Sequence, residues 1–379
     1  MRLLYYAPAG RGGLARYAAE QAGALAGLGI EVQMLVPTNF ERRPHGLDIR
    51  PTLLPSDGSA KSVLRRRLQF GRRILENVRT IRKVVLREQH THVLFGAFSE
   101  YLAPLWSAQL RKLADDGVVF GAVVHDPVRD YVMGPIWWHR HSIASAYSFL
   151  REAFLHEPVQ LDTVKPMPQL RTTIIPHGPY QFPAPTLDRE AVRARFEIPR
   201  SADVLLSFGH IRDGKNLHLV LEAMTQFPNI YLLVAGREQS TAQKPMSVYQ
   251  SLAQDLGVAS RCRWWHEHIP ATEIGNLFDA ANIILVTYSN KFQSASGVLN
   301  TAVHYRKRCL ASSGGGNLRS SVEKYHLGVW VEPDAVEAIV DGLRQLQTND
   351  INPRWREYER ENSWEQNATL VKERMFLAE

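Results

Sequence analysis

Cysteine is almost missing from this sequence: Cys262 and Cys309 are the two present in 379 residues. That excludes a disulfide framework. With no C-x-x-C and no Cys/His cluster, it also gives no sign of structural zinc. The pattern fits a reducing cytoplasm. Long hydrophobic runs are missing too, since no stretch approaches the roughly 18 uncharged apolar residues that read as a membrane span. The N-terminus MRLLYYAP has one charged side chain and an apolar run that stops at Pro8, so it does not read as a signal peptide. The expectation is a cytoplasmic protein, soluble or peripheral at the inner face of a membrane. Short repeats and low-complexity segments are absent. Acidic residues are scarce between positions 65 and 87, where Glu76 stands alone against Arg65, Arg66, Arg67, Arg72, Arg73, Arg79, Arg82, Lys83 and Arg87.

What is present bounds the rest. A chain of 379 residues exceeds one typical core, and 45% apolar content supplies material for two. The net charge of +7 favours anionic partners such as nucleotide diphosphates, anionic lipids or nucleic acid. In the basic stretch, Leu64, Leu68, Ile74, Leu75, Val78, Ile81, Val85 and Leu86 recur at helical intervals. It therefore reads as a basic amphipathic helix or helix pair, serving either as a solvated face or as a docking site for an anionic membrane. Nucleic acid is disfavoured, because no interleaved aromatic platform or known binding module accompanies the charge.

Short apolar runs alternate with amphipathic stretches along the whole chain. Strands are expected at 2–6, 31–36, 92–95, 118–124 and 172–175, then at 203–208, 230–235, 261–264, 283–286, 308–311 and 328–331. Helices are expected at 14–25, 68–88, 100–113 and 142–154, then at 217–226, 247–255, 272–280, 297–305 and 335–346. A final helix is expected near 364–376. Such alternation implies parallel sheets with right-handed crossovers and helices on both faces. The segment 176–185 holds Pro176, Gly178, Pro179, Pro183 and Pro185, which suits a linker. The expected fold class is α/β, with two doubly wound Rossmann-like domains facing a cleft. Ligands of such sheets bind at the carboxyl ends of the strands.

Two segments carry candidate chemistry. In LSFGHIRDGKNLHLVLEA, Gly209 permits a turn after a strand, and Arg212 and Lys215 follow before a helix. Two cations at a strand's carboxyl end beside a helix N-terminus favour a phosphate dianion. The bland alternative is a pair of solvated loop charges. In VTYSNKFQSASGVLNTAVHYRKRCLA, a strand runs into a polar loop and a small-residue helix start, Ser294-Ala295-Ser296-Gly297. Small residues there let backbone N–H groups approach an anion. Asn300 could then reach a ribose or sugar hydroxyl. The alternative is an ordinary N-cap at Ser296 with Asn300 solvated. The pairs Trp137-Trp138 and Trp264-Trp265 are either sugar-stacking platforms or packing.

These segments, in order, resemble the GT-B glycosyltransferases, and within them the large family 4 group (glycosyltransferase group 1). GGLARYAAEQAGAL resembles the first Gly-rich loop and helix, VVHDP the strand-end His of the acceptor domain, and IIPHGPY the entry to the interdomain linker. FGHIRDGKN resembles the phosphate-binding Arg/Lys loop and LLVAGRE the second donor-domain strand. SASGVLNTAV and then SSGGG resemble the nucleotide-sugar helix and its Gly-rich follower. ENSWEQNA resembles the segment before a crossover helix. The resemblance covers nearly the whole chain and implies an acceptor-binding domain at 1–180, a donor-binding domain at 181–363, and a helix at 364–379 that crosses back to the first domain.

The resemblance also implies roles. Arg212 and Lys215 would bind the donor diphosphate and stabilise the leaving nucleotide, with His125 near the transferring sugar. Donor contacts would come from Gly209, Gln293, Ser294, Ser296, Gly297, Val298 and Asn300. Gly12, Gly13, His177 and Gly178 would line the acceptor side. The family carries two glutamates around the nucleotide-sugar helix. Here Asn300 stands in one position and Phe292 or Gln293 in the other, so the sugar contact would pass to Gln293 or Ser294. No D-x-D occurs, so no metal is expected to be required and no cofactor is implied beyond the nucleotide-sugar substrate. The expectation is a retaining, metal-independent transfer from a nucleotide-sugar donor to a glycan or lipid-linked acceptor, in polysaccharide or glycolipid assembly. The alternatives are a binding module that has lost activity with its glutamates, and a sugar-nucleotide epimerase on the same fold.

Overall fold

The structure is a computed structural model. It describes the chain apart from residues 42–45, 56–61, 128, 130, 131, 133, 181, 239–242, 294, 378 and 379, and apart from the side chains of 63, 64, 66 and 67. The chain divides into two units, Met1–His177 with Asn362–Glu379, and Gly178–Glu361.

The first unit runs β1 (Arg2–Tyr6), α1 (Gly12–Gly27), β2 (Glu31–Pro37), β3 (Asp48–Leu53), α2 (Val63–Glu88), β4 (His92–Phe95), α3 (Ala103–Asp115), β5 (Val119–Val123), α4 (Ile136–Tyr147), β6 (Glu152–Leu155) and β7 (Arg171–Ile174). The second runs α5 (Arg189–Arg195), β8 (Asp203–Phe208), α6 (Leu217–Ala223), β9 (Ile230–Ala235), α7 (Met246–Asp255), β10 (Cys262–Trp265), α8 (Ala271–Ala280), β11 (Ile283–Thr287), α9 (Gly297–His304), β12 (Arg308–Ser312), α10 (Asn317–Lys324), β13 (Gly328–Trp330), α11 (Val336–Thr348) and α12 (Trp355–Glu361). Helix α13 (Trp364–Lys372) then closes the first unit.

Each unit is a doubly wound parallel sheet. The seven-stranded sheet has the order β3-β2-β1-β4-β5-β6-β7, and the six-stranded sheet β10-β9-β8-β11-β12-β13. Strand order reverses beside β1 in one and beside β8 in the other, the switch points where such sheets open a ligand crevice. The central strands are apolar on both faces: Leu3, Leu4, Val204, Leu205, Leu206, Leu232 and Leu233 are fully buried. Two-sided burial explains why these strands read as continuous apolar runs.

The helix expected at 142–154 is corrected by the structure. The helix ends at Tyr147, and Glu152–Leu155 forms β6 between β5 and β7. A fully buried four-residue strand has no period of its own, so it merged with the preceding helical pattern. β3 was absent from the reading because it is an exposed edge strand containing Pro51.

Helix α13 joins the first unit through buried polar contacts. Tyr5 Oη donates to Gln21 Oε1 (2.7 Å), Gln21 Nε2 to Asn367 Oδ1 (2.7 Å), and Asn367 Nδ2 to Tyr17 Oη (3.1 Å) and to the Pro176 carbonyl (2.7 Å). Each of these groups lies in an apolar core, so each needs its partner. Among the described residues no helix is long and apolar enough to cross a membrane.

Candidate active site

The second unit's site is built at the carboxyl end of β8. Gly209 has φ +88, and Gly236 at the end of β9 has φ +150; a Cβ on Gly236 would stand 1.9 Å from the Gly209 carbonyl oxygen. Only glycine allows both the turn and the contact. Gly209 N donates to the Ala235 carbonyl (2.9 Å) and Ile211 N to the Arg237 carbonyl (2.9 Å), so the loop stays pinned to β9 after the strand ends. A 3₁₀ turn at Asp213–Lys215 then leads through Asn216, at φ 54, into α6.

Arg212 is exposed and Lys215 half-buried. Lys215 Nζ donates to the Phe208 carbonyl. Loss of hydration, and secondarily the charge of Arg212, draw the Lys215 ammonium down to about 7. The His210 imidazole is also held below its ordinary range, first by lost hydration and then by Arg212 and Lys215. Three basic groups thus share one loop, where Arg212 makes both His210 and Lys215 harder to protonate. That field asks for an anion.

The loop after β11 lies against this one. Ser289 N donates to the Gly214 carbonyl (2.8 Å), and Thr287 Oγ1 to the Lys215 carbonyl (3.0 Å). The Asp334 carboxylate spans both loops, accepting from Asn216 Nδ2 (2.8 Å) and from Asn290 N (3.0 Å). Tyr288 stacks on Phe292, with ring centroids 3.9 Å apart, and its Oη meets Ser296 Oγ at 2.9 Å. Ser296 Oγ also accepts from Leu299 N (3.2 Å), so it caps α9. A Cβ on Gly297 would stand 3.6 Å from the Tyr180 ring, and one on Gly315 would stand 3.7 Å from the Gln293 side chain. Val298 packs on the adjoining core. Asn300 is buried rather than solvated, and its Oδ1 accepts from Tyr358 Oη at 2.6 Å. Ser294 lies outside the described residues.

The second unit therefore brings together Gly209, Arg212, Lys215, Ser296 and Gly297. Gly178 is buried at that unit's start. Asn216, Tyr288 and Asp334 also build the site but were not singled out from sequence, whereas Phe292 was named only as standing in a glutamate position. The tight turn after Lys215 was the available signal for Asn216; nothing in the spacing pointed to Asp334.

In the first unit, His125 follows β5. Its Nε2 donates to the Gly96 carbonyl (2.9 Å), which leaves the lone pair of a neutral ring on Nδ1. Burial holds this imidazole below its ordinary range, partly offset by the Gly96 carbonyl and Asp126. Tyr17 presents its ring edge-on to His125 (4.6 Å), His177 (5.3 Å) and Trp364 (4.9 Å). His156, between His125 and His177, is pushed well below the ordinary range by burial and by both neighbours. These rings form one aromatic group, in which His125 and His156 are held below the ordinary imidazole range. Gly12 begins α1 at φ +77, and the space around Gly12 and Gly13 is open. Among the described residues no group of three or more His, Cys, Asp or Glu is placed to hold a metal.

Residues 188–370 match the family described as Glycosyl transferases group 1. Over 106 residues the chain is 28% identical to a D-inositol 3-phosphate glycosyltransferase of Mycobacterium leprae, covering 28% of this chain and 24% of the relative. Over 74 residues it is 35% identical to a lipopolysaccharide core biosynthesis glycosyltransferase, LpsE, of Rhizobium meliloti, covering 19% and 20%. The chain thus spans about a quarter or less of the length of these curated relatives. Among solved structures, it is similar in fold to Anabaena Alr3699/HepE in complex with UDP-glucose, with a TM-score of 0.63, 11% identity, and coverage of 99% of this chain and 95% of that one.

Proposed function

We propose that this chain, which has the GT-B fold and whose residues 188–370 match the family described as Glycosyl transferases group 1, moves a sugar from a nucleoside diphosphate sugar to a glycan or lipid-linked acceptor. The observation that carries the reading is the pair Arg212 and Lys215 on the Gly209 turn, with the lysine drawn down to about 7 by burial and its neighbour. An ammonium kept short of solvation gains most when a dianion arrives.

In this reading the diphosphate lies on the Gly209–Asn216 loop and against the start of α9, where backbone N–H groups and Ser296 meet it. Arg212 and Lys215 hold its charge. As the glycosidic bond breaks, negative charge grows on the leaving diphosphate, and fixed cations stabilise that state more than the ground state. They do the neutralising work a metal would otherwise do, so the reading requires no metal. Gln293 takes the sugar contact that a glutamate makes elsewhere in the family, and Asn300 anchors α9 through Tyr358. On the first unit, His125 accepts from a sugar or acceptor hydroxyl through Nδ1, while Gly12 and Gly13 leave open space at the start of α1. His177, closing the first unit, and Gly178, opening the second, shape the acceptor side. Retention of anomeric configuration is part of the proposal. So is peripheral membrane attachment through the basic stretch 65–87, which would bring the enzyme to a lipid-linked acceptor in glycolipid or polysaccharide assembly.

UDP-glucose is the first donor to test, because the Anabaena neighbour was solved with it. The experiment measures nucleotide release from UDP-, GDP- and ADP-sugars, with and without lipid-linked glycan acceptors, in the presence of a chelator. Acceptor-dependent release supports the proposal. Tight nucleotide binding without turnover would identify a binding module instead.

A further inference from the structure

We infer that the sugar held at the second unit's site carries a carboxylate, as a hexuronic acid does, and that Lys291 pairs with it. The inference rests on reading this unit as a nucleoside diphosphate sugar site, and it names the class of sugar.

The first observation is where negative charge is missing. No Asp or Glu occurs between Asp279 and Glu323. That span supplies both loops at the carboxyl ends of β11 and β12, beside the turn that carries Arg212 and Lys215. A neutral sugar offers hydroxyl donors, and a carboxylate is the strongest side-chain acceptor for them. Here Gln293 stands in the glutamate's place. An amide donates as well as accepts, and it does not repel a sugar carboxylate as a glutamate would. Acidic residues return after β13, the edge strand. There Asp334 has one oxygen on Asn216 Nδ2 and the other on Asn290 N.

The second observation is a lysine held out by a fixed turn. Ser289–Phe292 closes through Phe292 N, which donates to the Ser289 carbonyl (3.0 Å). The neighbours of Lys291 are anchored on three sides. Ser289 N bonds the Gly209–Asn216 loop, Asn290 N bonds Asp334, and the Phe292 carbonyl accepts from Gly314 N (3.1 Å). The β12 loop presses directly on this turn, since a Cβ on Gly314 would stand 1.9 Å from the Asn290 carbonyl oxygen. Lys291 itself is exposed, and among the described residues its ammonium has no carboxylate partner. A solvated surface lysine needs no such framing. A cation whose backbone is fixed beforehand loses less order when it pairs with a ligand. The diphosphate takes Arg212 and Lys215. Lys291, two positions from Gln293, is left for one further negative charge. One lysine matches one carboxylate, whereas a phosphorylated sugar would leave part of a dianion unpaired.

The test titrates the full chain calorimetrically with matched donors that differ only at C6. The pairs are UDP-glucose against UDP-glucuronate, and UDP-galactose against UDP-galacturonate. UDP alone is the reference, and the chains are the wild type, Lys291→Gln and Gln293→Glu. In the pair whose ring stereochemistry fits, the uronate should bind about tenfold tighter than the neutral sugar. Lys291→Gln should abolish that preference and leave UDP affinity unchanged. Gln293→Glu should reverse it, on the order of tenfold against the uronate. Neither side chain belongs to the core, so both variants should melt as the wild type does. Should GDP bind in place of UDP, GDP-mannose against GDP-mannuronate is the deciding pair. If the nucleotide binds and no uronate outbinds its neutral partner, this inference fails and the transferase reading stands. If Lys291→Gln weakens UDP as much as the uronate, the lysine serves the diphosphate and the inference fails again. Absence of binding by either nucleotide strikes the donor reading and takes this inference with it.

Discussion

The two units share one scaffold and use charge in opposite ways. In the second, the cations that matter are few and share one turn: Arg212 and Lys215 stand on the Gly209–Asn216 loop beside an imidazole, His210, held below its ordinary range, and the lysine is desolvated until its ordinary affinity for a proton is lost. In the first, cations are many and solvated along α2, while burial holds His125 and His156 below the ordinary imidazole range. Crowded, half-buried charge can grip one dianion tightly and is costly to leave unfilled. Solvated charge is cheap and grips nothing in particular, but it orients a surface toward an extended anionic partner. Neutral rings at a strand end can meet sugar hydroxyls without competing for the anion.

The sharpest way to break this comparison is Lys215→Ala. If the lysine clamps the leaving diphosphate, turnover should fall on the order of 10²–10³-fold, read as kcat in the nucleotide-release assay. A near-normal rate would reduce the loop to a surface feature. The pH dependence tests the same point without a substitution. The free Lys215 ammonium titrates near 7, and a bound diphosphate raises that value, so binding takes up a proton above pH 7. Affinity for UDP should therefore weaken as pH rises, about fivefold from pH 7 to 8 and about 50-fold from pH 7 to 9, while the bound lysine stays protonated. Titration calorimetry in buffers of different ionisation heat measures that proton uptake. Lys215→Arg should flatten the profile, because a guanidinium stays charged throughout.

Much of this contrast was legible in the sequence, for physical reasons that differ by residue. The central strands were readable because two-sided burial demands unbroken apolar runs, as in Val204–Leu206 and Leu232–Val234. Gly209, Arg212 and Lys215 were readable because a turn, two cations and a helix start stand within a few positions. Short polar helices such as α5, α10 and α12 carry too few turns to show a period. β6 vanished into the preceding helix. The ties that make the loops a site were invisible, because they join distant positions: Asn216 to Asp334 across 118 residues, and Asn300 to Tyr358 across 58. Hydrogen bonds at such separations leave no local pattern.

Two smaller effects separate structural ties from functional ones. Asn367→Ala removes the amide that bonds Gln21, Tyr17 and Pro176 in the first unit's core. It strands buried partners, so stability should fall by about 1–3 kcal/mol, measured by chemical denaturation, with UDP affinity unchanged. Altered affinity would mean the units are not independent in the way the contrast requires.

Asp334→Ala should do the reverse. Its carboxylate is at the surface, so little core is disturbed, yet it is the acceptor for both the buried Asn216 side chain and the Asn290 backbone. Without it, the loop carrying Lys215 and the loop leading to α9 lose their common tie, and each must be ordered when the nucleotide binds. The expected cost in binding is about 1 kcal/mol, or roughly fivefold in UDP affinity, with a fall in stability smaller than that of Asn367→Ala, from the Asn216 amide left without its acceptor and an alanine at φ 61. Asp334→Asn keeps one carbonyl oxygen and should recover part of the loss. A structural role alone would shift stability and leave affinity intact, whereas a positioning role weakens binding in step with the hydrogen bonds removed. The second unit's grip would then depend on holding its two loops still before the dianion arrives, a requirement that the solvated cations of α2 do not share.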